Sequence, residues 1–206
     1  TETFLTRNRI WIDRTRGLGI ISKQDAIDYG LTGPNLRGSG VAYDVRKAHP
    51  YLGYDKYDFK VPIAHTGDTY ARYLVRVEEM RQSLRIVEQA LANLPDGSII
   101  VDNHHVALPP KARVYTEMES LIYHFKLIME GMKVPVGEYY GYVEGANGEL
   151  GFYAISDGGG KPYRLKVRPP CFAIFQAYPH MLKGHLVADS VAILGSLNII
   201  AGELDR

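Results

Sequence analysis

The stretch Gly67-Asp-Thr-Tyr-Ala-Arg-Tyr-Leu-Val-Arg-Val-Glu-Glu-Met80 opens the longest regular pattern in the chain and decides the fold class. Asp68 is a good N-terminal cap, because its carboxylate can accept hydrogen bonds from the free amides of a first helical turn. Apolar residues then recur every three or four positions, which predicts an amphipathic helix over residues 69–94. The apolar stripe consists of Tyr70, Tyr73, Leu74, Val77, Met80, Leu84, Val87 and Leu91. Four polar residues fall off the stripe, namely Arg72, Arg76, Glu79 and Gln82.

A second helix and then a change of period follow. Residues 113–130 repeat the helical spacing of apolar side chains. From Gly137 onwards the period becomes two, and Asn147-Gly148 is a strong signal for a tight hairpin turn. The alternation predicts three strands, over residues 137–145, 149–156 and 163–168.

The fold class follows from these elements. Three sequential strands with short turns imply an antiparallel β-meander over about residues 137–168. Residues 173–196 are predicted to form two helices, broken near Pro179 and Gly184. The glycine-rich run 33–40 is predicted to be a loop, and Ser22 to cap a short helix. The chain is therefore predicted to be α+β, a helical bundle with a small antiparallel β-meander.

Composition excludes several classes of protein. The 206 residues carry 24 Lys and Arg against 23 Asp and Glu, a net charge of +1 that argues against a nucleic-acid binder. Cys171 is the one cysteine, so the chain itself holds no iron–sulfur cluster and no four-cysteine zinc site. Adjacent His104 and His105 lack a third ligand at a usual spacing, so we predict no metal site.

No complete nucleotide-binding motif is present in the sequence. Gly17-Leu-Gly19 and Gly38-Ser-Gly40 each lack the third glycine of a dinucleotide fingerprint, and turns explain them better. Gly158-Gly-Gly-Lys161 is followed by a proline and a strand, whereas a phosphate loop needs a helix there. We therefore expect that the chain binds no NADH itself.

Several segments resemble one known family. They resemble the D subunit of proton-pumping NADH:quinone oxidoreductase, the 49-kDa subunit of respiratory complex I, and together they span almost all of residues 1–206. The segments are Gly33-Pro-Asn-Leu-Arg-Gly-Ser-Gly-Val-Ala-Tyr-Asp-Val-Arg-Lys47, Gly67–Met80, Met118–Lys126, Glu130–Pro135, Glu149–Gly158 and Gly202-Glu-Leu-Asp-Arg206. The resemblance implies that the chain is the C-terminal portion of such a subunit, a fragment or one half of a split product.

The resemblance also implies a fold relationship. The family resembles the large subunit of nickel–iron hydrogenases, so the chain is expected to be half of a hydrogenase-large-subunit-like fold. Nickel and iron ligands need thiolate pairs, and Cys171 stands alone. A hydrogenase centre is thereby excluded for this half. The family's His and Tyr that hold the quinone head group are not matched here, so no catalytic residue is expected in this half.

The resemblance implies C-terminal helices and a hairpin over about residues 173–206, and the family's C-terminal hairpin lines the quinone cavity. By position, the expected quinone-binding residues are Asn198, Ile199, Ile200, Glu203 and Asp205, although burial at a subunit interface would explain them equally well. The family commonly has Asp where Asn198 stands, and an amide cannot change charge with quinone reduction. A second set belongs to the family's motifs and is expected to be structural: Arg37, Gly38, Asp44, Arg46, Lys47 and Arg206.

The implied function is that of one component of a larger complex. Quinone would be the substrate, and the electron-donating iron–sulfur cluster would lie in the partner B subunit. The B and C subunits of the peripheral arm and the membrane arm would be partners. The expected place is peripheral, on the cytoplasmic face of the inner (plasma) membrane. Two alternatives stay open: a non-catalytic scaffold, or the large subunit of a hydrogenase-related or ferredoxin-dependent membrane complex.

Overall fold

Residues 2–205 are described by the computed structural model, and within them the chain forms short and long helices and one small sheet. The helices are α1 Arg9–Thr15, α2 Lys23–Asp28, α3 Gly33–Arg37, α4 Val45–Ala48, α5 Thr69–Ala92, α6 Lys111–Thr116, α7 Met118–Met129, α8 Pro170–Gln176, α9 Tyr178–Leu182, α10 Asp189–Leu197 and α11 Ala201–Leu204. A π-helical turn, Glu2–Thr6, and a 3-10 turn, Tyr54–Lys56, complete the helical structure. The strands are β1 Gly137–Gly145, β2 Gly148–Ser156 and β3 Arg164–Arg168. The α+β prediction is confirmed.

The chain divides into two compact units. The first comprises residues 1–93, 142–151 and 168–206, and the second comprises 94–141 and 152–167. The first unit holds the main apolar core. Its buried members come from the segment before α2, from α2 and α3, and from α8 to α10: Leu18, Ile21, Ala26, Leu31, Leu36, Ile174, Ala177, Met181, Ile193 and Leu197.

Helix α5 begins at Thr69, and Asp68 caps it as predicted. One carboxylate oxygen of Asp68 accepts the Ala71 amide at 2.7 Å, and the other accepts the Gly17 amide at 2.8 Å. Ser22 likewise caps α2 by accepting the Asp25 amide at 3.1 Å. Both caps depend on residues close in sequence, so local chemistry was enough to predict them.

The buried face of α5 differs from the apolar stripe. Arg72, which falls off the stripe, is fully buried, whereas Met80 and Leu84 on the stripe are 55% and 64% exposed. Helix α5 packs against α3 and α10, and the Arg72 side chain is directed to the Ser196 hydroxyl of α10 and to backbone carbonyls outside the helices. The stripe therefore predicted the helix correctly, but its side chains beyond Val77 are exposed, because the packing partners decide which part of a helix is covered.

Arg72 satisfies the carbonyl groups around the start of α5. It donates to the backbone oxygens of Gly67 and Gly19 at 2.8 and 3.0 Å, and to the Ser196 hydroxyl at 3.0 Å. Burial lowers the pKa of Arg72 to about 9, with the charge of Arg76 acting in the same direction. The guanidinium therefore remains protonated at neutral pH and holds three separate parts of the first unit together.

The second predicted helix is two helices. Glu117 has an extended backbone, which ends α6 at Thr116 and starts α7 at Met118. Apolar side chains of the predicted stripe are exposed on α7, for example Phe125 at 58% and Met129 at 68%. Within the second unit, His105 instead packs edge-on against the Tyr123 ring of α7, with centroids 4.9 Å apart.

The sheet is the predicted antiparallel meander, with strand order β1-β2-β3. The hairpin turn, however, is Ala146-Asn147 and not Asn147-Gly148, so Gly148 already belongs to β2. Asn147 is buried, and its amide donates to the Cys171 thiol sulfur at 3.4 Å. That contact with α8 accompanies the shift of the turn by one position from the one that local preference predicts.

Helix α3 stands where a loop was predicted, and its start touches the hairpin. A Cβ on Gly33 would lie 2.5 Å from the Gly148 Cα and 2.8 Å from the Asn147 carbonyl oxygen. The Thr32 hydroxyl accepts the Glu149 amide at 3.0 Å beside this contact. The prediction of a loop over residues 33–40 was wrong for 33–37, because the glycine and proline that suggested it serve here as the first residues of a helix.

Replacing Gly33 with alanine should separate this close approach from backbone strain. Gly33 and Gly30 have nearly equal φ angles, +66° and +69°, but a Cβ on Gly30 would meet no atom within 4 Å. We expect Gly30→Ala to cost about 1 kcal/mol, and Gly33→Ala about 1–3 kcal/mol more. Urea denaturation of the two variants measures the difference, and equal losses would contradict the close contact.

Candidate functional site

A cavity of about 870 Å³ lies along α5 in the first unit. One part of its wall is apolar and comes from the outer turns of α5, including Val77, Met80, Leu84 and Val87. The other part is polar and brings together the following residues: Arg37, Arg46, Arg76, Glu79, Glu144 and Asn198. The cavity wall is thus apolar in one part and carries charged and amide groups in the other.

Arg37 is the centre of the polar side. Its side chain is 1% exposed, and its Nε and Nη2 atoms contact Glu79 Oε1 at 2.7 and 2.5 Å. Its Nη1 atom donates to Glu144 Oε1 at 2.8 Å and to the Tyr43 carbonyl at 2.9 Å. A guanidinium can satisfy several acceptors at once because its donors lie in a fixed planar fork.

Glu79 and Glu144 are the two carboxylates on the cavity wall. Burial raises the pKa of Glu79, although the charge of Arg37 opposes that shift. Glu144 accepts the Val45 amide at 3.2 Å through its second oxygen, and its own amide donates to the Tyr51 hydroxyl at 3.0 Å. These contacts anchor the end of β1 to the segment that starts α4.

Asp44 and Arg46 form a tight pair beside Arg37. Arg46 donates to the two oxygens of Asp44 from Nε at 2.9 Å and from Nη2 at 2.6 Å. Burial alone would raise the pKa of Asp44, but the hydrogen bonds and charge of Arg46, with the charge of Arg37, hold it below its ordinary value. Asp44 also caps α4 by accepting the Arg46 amide.

Asn198 connects the cavity to the hairpin turn. It ends α10 in the left-handed conformation, with φ 55° and ψ 50°, and its amide donates to the Asn147 side-chain oxygen. Cys171 lies underneath, where its backbone amide donates to Glu203 Oε2 at 2.9 Å. Burial raises the pKa of the Cys171 thiol, with Glu203 acting in the same direction, so the thiol takes part as a neutral packing group.

The structure distributes the five expected quinone contacts unevenly. Asn198 lines the cavity, whereas Ile199 packs against the apolar core. Ile200 is 49% exposed, and Asp205 is exposed further along the same C-terminal segment. Glu203 is engaged by the Cys171 amide. Asn198 is thus the member of this set found on the cavity wall.

The residues expected to be structural differ in their burial. Arg37, Gly38 and Asp44 are buried, and a Cβ on Gly38 would lie 3.0 Å from the Arg72 side chain. Arg46 is partly buried in its pair with Asp44. Lys47 is exposed and rests over the Phe59 ring, 4.1 Å from its centroid. Arg206 lies outside the described residues.

Four residues of the site were not anticipated: Arg76, Glu79, Glu144 and Asn147. Arg76 and Glu79 are polar residues off the α5 stripe, which is typical of a solvated face. A signal was nevertheless present, because Arg72 and Arg76 are four residues apart and therefore share one side of the helix. Nothing local to Glu144 or Asn147 indicates that a distant guanidinium or thiol would meet them.

Two further features of residues 2–205 bear on the class of protein. In that part of the chain no group of three or more His, Cys, Asp or Glu side chains is placed to hold a metal ion. Nor does any of its helices combine the length and the apolar character that crossing a bilayer requires.

Comparison with known proteins decides the family. The model of the family described as respiratory-chain NADH dehydrogenase, 49 Kd subunit, matches residues 1–206. The chain belongs to this family.

Close relatives agree with this assignment. A protein of Methylacidiphilum infernorum (isolate V4), named as the D subunit of NADH-quinone oxidoreductase, is 58% identical over 205 residues, covering 100% of this chain and 49% of its own length. Proteins of the same name from Myxococcus xanthus (strain DK1622) and Geotalea uraniireducens (strain Rf4) are 52% and 53% identical, with 49% and 53% of their lengths covered. The chain thus spans about half the length of these relatives.

Acid should weaken the site through Asp44. A carboxylate whose pKa is lowered in the folded state stabilises the fold fully above its unfolded pKa, about 3.9, and this stabilisation is lost as the pH falls through the folded value. We expect Asp44→Asn to cost about 1–3 kcal/mol at pH 7 and to flatten the loss of stability below about pH 4. Urea denaturation between pH 7 and pH 3 measures both effects.

The exposed Asp55 supplies the matched control. Asp55→Asn should change the free energy of unfolding by no more than about 0.5 kcal/mol, because the side chain lies at the surface. Equal pH dependence in Asp44→Asn and the unaltered chain would contradict the role given to Asp44.

Proposed function

We propose that this chain forms one wall of the quinone-binding cavity of a proton-translocating NADH:quinone oxidoreductase. The names of the relatives support the complex, and the cavity along α5 is the observation that supports the role within it. A quinone has a polar head with two carbonyl oxygens and, in membranes, an apolar isoprenoid tail. It therefore needs an apolar sleeve with a few polar groups at one end.

The cavity offers both parts. Its volume of about 870 Å³ lies within the range of small-molecule sites, roughly 300–1,000 Å³. Met80, Leu84 and Val87 supply apolar surface at successive turns of α5, which suits a tail or the ring of the head group. Asn198 supplies an amide on the polar side, where it can donate to a carbonyl or hold a water.

The remaining expected contacts keep narrower roles. Ile200 has half of its surface free and extends the apolar area beside Asn198 in the chain. Ile199 and Glu203 act indirectly: Ile199 packs in the core, and Glu203 fixes Cys171 beneath Asn198. Asp205 is a candidate for a polar contact near the head group. Because Asn198 is an amide, it positions the quinone without exchanging a proton.

Other components of the complex account for the exposed apolar surface of the chain. Met118, Phe125 and Met129 on α7 are each more than half exposed, and apolar areas of this kind are typical of protein–protein interfaces. We assign these contacts to the peripheral arm, with the B and C subunits and the membrane arm as partners. The B subunit would hold the iron–sulfur cluster that reduces the quinone. The complex would sit on the cytoplasmic face of the plasma membrane, and this chain alone would be inactive.

Blocking the apolar wall tests the proposal in the assembled complex that contains this chain. Leu84→Trp should raise the KM for a short-chain quinone about fivefold or more, because the larger tryptophan ring occupies part of the cavity. Leu91→Trp is the matched control, since Leu91 is on the same helix, is exposed and does not line the cavity. It should leave the KM within about twofold.

Two smaller changes extend the test. Asn198→Ala should raise the same KM about two- to tenfold through the loss of one hydrogen bond, and Ile200→Met should alter sensitivity to quinone-site inhibitors. Unchanged kinetics in Leu84→Trp, Asn198→Ala and Ile200→Met, with normal assembly, would rule out the quinone wall and leave scaffolding as the function.

A further inference from the structure

Arg76 differs from the other arginines of the cavity. Arg37 is paired with Glu79 and Glu144, and Arg46 is paired with Asp44, at N–O distances between 2.5 and 2.9 Å. Arg76 lines the same cavity from α5 but has no carboxylate within 4 Å among the described residues. It is therefore the guanidinium of this wall whose charge has no acidic partner.

The neighbours of Arg76 fix its side chain without neutralising it. Its Nη2 atom donates to the Asn35 side-chain oxygen at 3.3 Å, and its Nη1 atom donates to the Arg72 carbonyl at 3.4 Å. Both bonds are long, and the Nε atom is inaccessible to solvent and has no partner in residues 2–205. An unsatisfied donor on a charged group is costly to bury. Because its two existing hydrogen bonds are long, the guanidinium as a whole keeps donor capacity for an acceptor in the cavity that Arg76 lines.

The surroundings of Arg76 favour an oxygen atom as the acceptor for its guanidinium. Burial lowers the pKa of Arg76 to about 10; the nearby Glu79 opposes this shift and Arg37 adds to it, so the group stays protonated at neutral pH. Glu79 itself is occupied by two contacts from Arg37. A group that accepts from a guanidinium and carries partial negative charge would satisfy Arg76 at this point.

We propose that Arg76 is the residue of this chain that binds a head-group oxygen of the quinone, with Asn198 beside it on the cavity wall. This inference rests on the proposed quinone function. Arg76 draws an oxygen toward the polar side of the cavity, while the apolar residues of α5 receive the rest of the molecule. Its attraction increases with the negative charge on that oxygen, so an anionic quinone analogue binds better than a neutral one of the same shape.

The experiment compares variants in the assembled complex that contains this chain. The substrate is decylubiquinone, and the inhibitors are 1,4-naphthoquinone and 2-hydroxy-1,4-naphthoquinone, which is an anion at neutral pH. Arg76→Met should raise the KM for decylubiquinone about tenfold or more and abolish the preference for the anionic inhibitor. Arg76→Lys should keep that preference, because lysine keeps the positive charge although it lacks the fork of donors.

Two controls separate this role from a structural one. Arg85→Met removes an exposed arginine of the same helix that does not line the cavity, and should change neither measurement. NADH oxidation with hexacyanoferrate, an acceptor that needs no quinone cavity, reports whether the complex is intact.

The outcomes divide clearly. An unchanged KM and an unchanged anion preference in Arg76→Met would overturn the role of Arg76. If Leu84→Trp still raises the KM, the quinone function stands and this inference alone fails, whereas no effect of either variant removes both. Failure of Arg76→Met and Arg76→Lys to assemble, as judged by hexacyanoferrate activity and subunit content, would make Arg76 structural and also overturn the inference.

Discussion

The buried guanidinium of Arg37 is the interaction on which the candidate site depends. It comes from the end of α3 and reaches Glu79 on α5, Glu144 at the end of β1 and the Tyr43 carbonyl. Glu79 and Glu144 are 42 and 107 residues away from Arg37 in sequence, so no local preference could bring them together. A charge buried to this degree is tolerated only because each donor meets an acceptor. The loss of one acceptor would leave part of the buried guanidinium unpaired.

That network also defines the character of the cavity. Because Glu79 and Glu144, the two carboxylates of the polar side, are both paired with Arg37, their negative charge is not presented to the cavity as free charge. Arg76 and Asn198 are then the polar groups with capacity left for a ligand. The apolar side chains of α5 beyond Val77, namely Met80, Leu84 and Val87, line the other part of the same cavity.

The hairpin turn shows how a tertiary contact overrides a local preference. Asn147-Gly148 is a good turn on its own, yet Asn147 is drawn into contact with Cys171 and Asn198, and Gly148 lies against Thr32 and Gly33. The close approach at Gly33 is possible only because neither glycine has a Cβ. The same contacts hold Asn198 at the cavity, which explains why a residue at the end of α10 contributes to a wall built mainly by α5.

The amino-acid sequence by itself determined the local elements. Asp68 and Ser22 start their helices because each side chain meets amides three residues ahead, and the alternation after Gly137 produces the meander. It also carried the family, through segments spread along the whole chain. It did not determine which face of α5 is covered, the break at Glu117 or the exposed side chains of α7. Those features, and the meeting of Arg37, Arg76, Glu144 and Asn198, were decided by tertiary structure alone, because burial and charge pairing depend on partners far away in sequence.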